Sequence, residues 1–173
     1  MKCTDVLFQE HRIMLRALDV LSEMATRVAL GERVEPADVE AILNFMQVFG
    51  DECHQAKEES ALFPVLMRAA AAEKEPLRHM LFEHDQERSL VVGLQDALKT
   101  QQGKDFIYYA NKLIDLLRNH IYKEDHILFD VVDKCLTKEQ DQEVVAEFGK
   151  FAPCPDLCRR LHALEWQYLR KTA

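Results

Sequence analysis

The sequence predicts an all-α protein: an up-down-up-down four-helix bundle with short C-terminal helices. Three observations carry this. Apolar residues recur at three- and four-residue spacing over long stretches. Glycine and proline number only five each, and several of them mark breaks between those stretches. No segment alternates as a half-buried strand does. Long helices with short connections pack as antiparallel neighbours.

The first helix spans about Asp5–Leu30, with Leu7, Met14, Leu18, Leu21, Ala25 and Val28 on one stripe. Gly31 to Pro36 breaks it, glycine as a C-terminal cap and proline in the next first turn. The second runs from Pro36 to about Met67, and Pro64 should kink or end it. Arg68–Glu75 is ambiguous, because its alanines favour helix while Pro76 opposes continuation. The third runs from about Pro76 to Thr100 and the fourth from about Asp105 to Cys135, with the turn at Gln101–Lys104. Thr137 and Gln140 form a capping box for a short helix to about Lys150, and a last amphipathic segment covers Asp156–Arg170. Residues 1–135 thus read as the bundle, and residues 136–173 as a helical extension packed on it within the same domain.

The chain has 173 residues, 48% hydrophobic and 30% charged, the balance of one soluble domain. Its formal net charge of −8 argues against nucleic acid as a partner. No apolar run nears the roughly 20 residues that cross a bilayer, so no membrane partner is expected. The charged start offers no secretory signal, and five cysteines without a CxxC disfavour both a disulfide scaffold and an all-thiolate zinc site. The expected location is the cytoplasm.

The seven histidines are the stronger lead. The segment from His54 to Val65 is repeated 66 residues later, from His120 to Val131, with His, Lys, Glu, Leu, Phe and Val coinciding. The other two helices carry Glu10-His11 and Glu83-His84. The pattern is therefore H, HxxxE, H, HxxxE, one unit per helix. Positions i and i+4 share a helix face, so His54 with Glu58, and His120 with Glu124, can grip one object. The points midway between successive units fall in Gly31–Pro36, in Arg68–Glu75 and at Gly103, so all four units lie level in an antiparallel bundle.

Four histidines and two glutamates in one core layer are costly to bury unpaired, and a metal that takes their lone pairs removes that cost. Imidazoles and carboxylates without thiolates suit iron, manganese or zinc, and two shared carboxylates suit a dinuclear centre. The ferritin-like order, Glu-x-x-His, does not occur in this chain.

These residues resemble the hemerythrin-like (HHE cation-binding) family over roughly residues 5–135. The phrase HxxxEExxLFP, His54 to Pro64, is the most specific part. The resemblance implies two iron ions in a non-haem, oxo- or hydroxo-bridged di-iron site. His11 and His54 would bind one iron, His84 and His120 the other, and Glu58 and Glu124 would bridge them. The oxygen carriers of the family have HxxxH on the third helix, but Met80 stands four residues before His84. They also use HxxxxD on the fourth, where both Glu124 and Asp125 are available; the internal repeat favours Glu124. One histidine fewer leaves more open coordination and moves the ligand set toward the iron-sulfur-repair and iron-sensing members. The partner implied is a small molecule: dioxygen, nitric oxide or peroxide.

Of the remaining residues, Glu59, Glu83 and Asp125 read as solvated helix charges, with orientation of an imidazole as the alternative. His79 and His126 fit no level and read as surface or second-rank, and His162 reads as structural. Gly50, one turn before His54, leaves space either for a ligand or for a bulky neighbour such as Phe82. Cys53 reads as a small core residue, Tyr122 as facing away from His120, and Cys154 with Cys158 as a conceivable redox pair. Leu161, Leu164, Trp166 and Leu169 read as a stripe packing on the bundle or on a second subunit, a homodimer. The expected function is a non-haem di-iron protein that binds or reacts with a small ligand in sensing, detoxification or iron handling. Its alternatives are a di-iron enzyme or iron donor of the iron-sulfur-cluster-repair type, a peroxidase-like activity, and a plain scaffold holding zinc or nothing.

Overall fold

The computed structural model describes residues 1–69, 74–152 and 155–170, which form helices joined by short turns, with no strand among them. Helix α1 runs Cys3–Ala29 and buries Leu7, Met14, Leu18, Leu21 and Ala25 on one stripe that also holds His11. It stops where Gly31 takes φ 74°. There Gly31 N–H donates to Val28 O at 3.1 Å and Glu32 N–H to Arg27 O at 2.9 Å. That paired closure needs a left-handed residue, which glycine supplies without a Cβ penalty.

Helix α2, Pro36–Phe45, opens on proline, where no N–H is needed. The chain then widens into π-helical turns over Met46–Gln55 and Glu58–Leu62 before α3, Phe63–Ala69. Pro64 therefore does not end the helix. Its ring would clash with the carbonyl four residues back, but that carbonyl belongs to Ser60, inside a π turn whose bonds reach five residues. Residues 70–73, the ambiguous stretch, lie outside the described residues.

Helix α4 spans Lys74–Lys99 and α5 spans Gly103–Lys123, followed by a third π turn, Glu124–Leu128, and α6, Phe129–Cys135. The turn before α5 is closed by Gln101 at φ 54°, not by Gly103, which begins the helix. Helix α7, Lys138–Phe148, starts with the expected box: Gln140 N–H donates to Thr137 Oγ1 at 3.2 Å and Thr137 N–H to Gln140 Oε1 at 2.9 Å. Helix α8 is Pro155–Leu169. Cys154, with its suggested pairing to Cys158, lies outside the described residues.

Contacts between helices run in opposite chain directions. Along α1, Lys2 meets Asp133 at 2.6 Å and Asp19 meets Arg118 at 2.8 Å. Along α4, Arg88 meets Asp51 at 2.8 Å and Gln95 meets Gln47 at 3.4 Å. Helices α4 and α5 touch so closely at Gly93 that a Cβ there would lie 2.6 Å from Tyr109 Cε1. The interior holds two apolar clusters. One contains Met14, Leu18, Phe45, Phe49, Leu94 and Leu117; the other contains Leu7, Leu62, Phe63, Met80, Phe129 and Phe148. Between them, along α1, stands His11.

Helix α8 lies on α1 and α2 through Leu161, Leu164 and Tyr168. Buried Asp38 accepts from Tyr168 Oη at 2.8 Å, Gln167 Nε2 at 2.7 Å and Arg160 at 2.8 Å. Trp166 and Leu169 are exposed, so the packing stripe is Leu161, Leu164 and Tyr168, one turn apart.

A non-glycine residue in left-handed backbone costs about 1 kcal/mol. Gln101→Gly should therefore raise the thermal midpoint by about 2–4 °C in calorimetry, the shift expected for a chain of this size.

Candidate metal centre

The polar layer between the two apolar clusters contains His11, His54, Glu58, His84, His120 and Glu124, each at most 3% exposed. Helix α1 supplies His11 and α4 supplies His84. His54 and Glu58 come from the π-helical stretch after α2, and His120 and Glu124 from the end of α5 and the π turn after it. The structure brings all six together as two sets. One is His11, His54, Glu58 and Glu124; the other is His84, His120, Glu58 and Glu124. Within each set the candidate ligand atoms lie within 4.8 Å of one another, and both glutamates belong to both sets.

The carboxylates span the sets. Glu124 Oε2 lies 3.2 Å from His11 Nε2, and its Oε1 lies 3.3 Å from His120 Nε2. Glu58 Oε1 lies 3.6 Å from His54 Nε2, and its Oε2 lies 3.5 Å from His84 Nε2. Asp125, the alternative to Glu124, faces elsewhere: its Oδ1 is 2.6 Å from His11 Nδ1.

That contact is one of four equivalent ones. His54 Nδ1 meets Glu10 Oε2 at 3.0 Å, His84 Nδ1 meets Glu59 Oε1 at 2.7 Å, and His120 Nδ1 meets Glu83 Oε2 at 2.8 Å. Each outer carboxylate is anchored by a cation. Lys57 holds Glu10, Lys123 holds Glu83, Arg12 holds Asp125 at 2.6 Å and Arg88 holds Glu59 at 2.7 Å. The sequence reads Glu59, Glu83 and Asp125 as solvated charges, with orientation of an imidazole as the alternative, and gives Glu10 no role. The structure places all four against imidazoles. The signal was present in the sequence: each of the four carboxylates is adjacent in the chain to a layer residue, and a lysine precedes Glu58 and Glu124.

The hydrogen bonds set the proton positions. A carboxylate at Nδ1 takes the Nδ1–H, so each neutral imidazole presents a bare Nε2 lone pair inward. These lone pairs face each other, His11 Nε2 to His54 Nε2 at 3.0 Å and His84 Nε2 to His120 Nε2 at 3.2 Å. Both oxygens of Glu58 and of Glu124 are buried without a hydrogen-bond partner among the described residues. An arrangement of facing lone pairs and orphaned carboxylate oxygens is repulsive unless a cation lies among them. The residues thus fit a metal ion in each set. Two ligand atoms about 2.1 Å from one ion and at right angles to it stand about 3.0 Å apart.

Without the cation the layer carries strained acid–base equilibria. Burial pushes His54 down to about 4, against its bond to Glu10. Burial, with the charge of Glu124 beside it, raises the Glu58 carboxyl well above the usual range. Burial also opposes ionised Glu124, but His120 and His11 overrule it and hold that carboxyl well below the range. Around the rim, burial opposes ionised Glu83, but His120 and Lys123 bring it down to about 2.

Gly50 does not make room for Phe82, which is exposed. A Cβ at residue 50 would lie 3.5 Å from Glu87 Oε1 and 3.8 Å from Met14 Cε. Buried Glu87, which sequence reasoning passed over, has its carboxyl pushed up to about 7 by burial. Met80 lies in the apolar cluster beyond the layer. His79 is exposed with Nε2 3.1 Å from Glu83 Oε1, and exposed His126 stacks on Tyr122. His162 is exposed beside Glu165, and Cys53 is buried.

The family model of the hemerythrin HHE cation-binding domain matches residues 3–132. No curated protein and no solved structure gives a significant match to the chain.

Outer partners that orient imidazole ligands typically change metal affinity by 10–100-fold. Asp125→Asn and Glu83→Gln should weaken metal binding by about that factor in competition titrations with a chelating indicator, while His126→Ala should leave it unchanged. In the metal-free chain, Glu87 is still protonated when folded between pH 4.5 and about 7, where the unfolded chain has already lost that proton. Stability therefore falls as pH rises through this window. Thermal melts of Glu87→Gln should show a shallower fall than the parent.

Proposed function

The chain belongs to the hemerythrin HHE cation-binding family, and from that premise we propose that its polar layer holds two iron ions and that a small ligand binds or reacts there. Dioxygen, nitric oxide and peroxide are the ligand class, and sensing, detoxification or iron handling is the role. The observation that carries this reading is the pair of buried glutamates, Glu58 and Glu124. Each directs one oxygen to each histidine pair and has no hydrogen-bond partner among the described residues. We read the antiparallel helix contacts as the up-down-up-down four-helix bundle of residues 1–135, with residues 136–173 packed on it in one domain.

On this reading His11 and His54 would hold one ion and His84 and His120 the other, with Glu58 and Glu124 shared between the two sets. Glu10, Glu59, Glu83 and Asp125 accept from Nδ1, which turns each Nε2 toward the layer. The apolar clusters on both sides hold bulk water away. Bound there, an iron pair supplies Lewis acidity and one-electron redox capacity toward a small oxygen or nitrogen ligand.

Met80 supports a second reading, reaction or iron donation of the iron-sulfur-repair type rather than reversible carriage. It turns an apolar thioether into the second cluster where a further histidine would add a ligand.

Protein purified in air without added metal should contain about two irons per chain and show near-ultraviolet oxo-to-iron bands. Glu58→Ala should lose two-metal binding. Zinc alone, or no metal with unchanged folding, overturns the iron reading. Retention of two irons by Glu58→Ala overturns the bridging assignment. Peroxide and nitric oxide titrations of the iron-loaded protein separate turnover from simple binding.

A further inference from the structure

A cavity of about 190 Å³ lies between the Met46–Gln55 stretch and α4, with Gln47, Asp51, Val92 and Gln95 on its outer walls and Glu87 inside. Glu87 is 3% exposed, yet its carboxylate lines this opening. Gln55, 1% exposed, donates from Nε2 to Glu87 Oε2. The other branch of the same amide, Gln55 Oε1, is buried with no hydrogen-bond partner among the described residues. Gly50 leaves the Oε1 side of Glu87 uncrowded, since its absent Cβ would stand 3.5 Å from that atom.

Asp51 and Glu87 line the cavity, and Glu87 and Gln55 stand within one helical turn of residues of the polar layer. Asp51 is at the rim, held by Arg88 Nε at 2.8 Å. Glu87 is next, one helical turn from His84 on the same face. Gln55, bonded to Glu87, is the chain neighbour of His54. A divalent cation leaving water exchanges its hydration shell for oxygen ligands, and carboxylate and amide oxygens are the kind it accepts on the way to imidazole. An apolar passage offers no such exchange, and both clusters flanking the layer are apolar.

We propose that this cavity is the loading path for the divalent cation, with Glu87 and Gln55 Oε1 as the transit site between Asp51 and the histidine–glutamate layer. The proposal rests on the metal-binding reading above. No bond is made or broken beyond ligand exchange, and Glu87 is a transit ligand, not a ligand of the final centre.

The test is the rate of ferrous uptake. The metal-free full chain, its fold checked by circular dichroism, is mixed with ferrous ammonium sulfate under nitrogen and quenched at intervals with ferrozine, which captures unbound iron. Glu87→Gln should load at least about tenfold more slowly than the parent and reach the same final iron content. Val92→Trp, an exposed change at the cavity mouth that leaves the layer and Glu87 untouched, should also slow loading without lowering the final content. Loading at the parent rate by either folded variant overturns the path. A lower final iron content in Glu87→Gln also overturns it, by making Glu87 part of the centre. Failure of the parent itself to take up iron is the distinct failure of the metal-site reading, and the path falls with it.

Discussion

The arrangement depends on a carboxylate hydrogen-bonded to the outer nitrogen of each buried imidazole. Glu10, Glu59, Glu83 and Asp125 fix the tautomer of His54, His84, His120 and His11, and so decide that four lone pairs point into the layer. Buried or half-buried carboxylates are tolerable because each has a cation on its far side, Lys57, Arg88, Lys123 or Arg12. Charge thus alternates outward from the middle of the molecule: bare lone pairs and glutamates, protonated ring nitrogens, carboxylates, then lysine and arginine at the rim. Removing any one of these shells strands the next.

The π turns make room for this order. In both repeats the turn begins at the layer glutamate, Glu58 or Glu124, and the following residue, Glu59 or Asp125, bonds an imidazole on another helix. Two consecutive carboxylates therefore perform two different tasks in each repeat. Wider turns of this kind occur often at functional sites. Here they also let Pro64 sit within a continuing helix. The two halves of the molecule match closely, but not fully: Arg12 is adjacent to His11, whereas Arg88 stands one turn beyond His84.

Much of this was legible in the sequence. The HxxxE repeat named the layer, and the positions of the breaks put its members level, because helix rise is regular and turns are cheap to recognise. The capping box of Thr137 and Gln140 was readable for the same reason, being local. The π turns were not, since they follow from what the layer must hold and not from residue propensity. Glu59, Glu83 and Asp125 looked solvated because carboxylates are common on helix surfaces; only the approach of a second helix gives each a partner. The turn at Gln101–Lys104 was readable, but not that Gln101 takes its left-handed position, since propensity does not single out a glutamine for it. Glu87 had no periodic signal, being a single carboxyl among the buried residues of α4, which include Leu77, Met80, Val91 and Leu94.

Each of the four main helical stretches places a histidine in the layer, at residues 11, 54, 84 and 120. A bound metal pair would therefore act topologically as a set of cross-links, closing three successive loops of the chain at a single plane. Because the ligands come together only in the folded chain, the free energy of binding the metal would add directly to that of folding. Such cross-links are undone by withdrawing the metal. A chelator would then work on this protein much as a reductant works on a disulfide-bonded one, and the concentration of available metal would set how firmly the helices stay together.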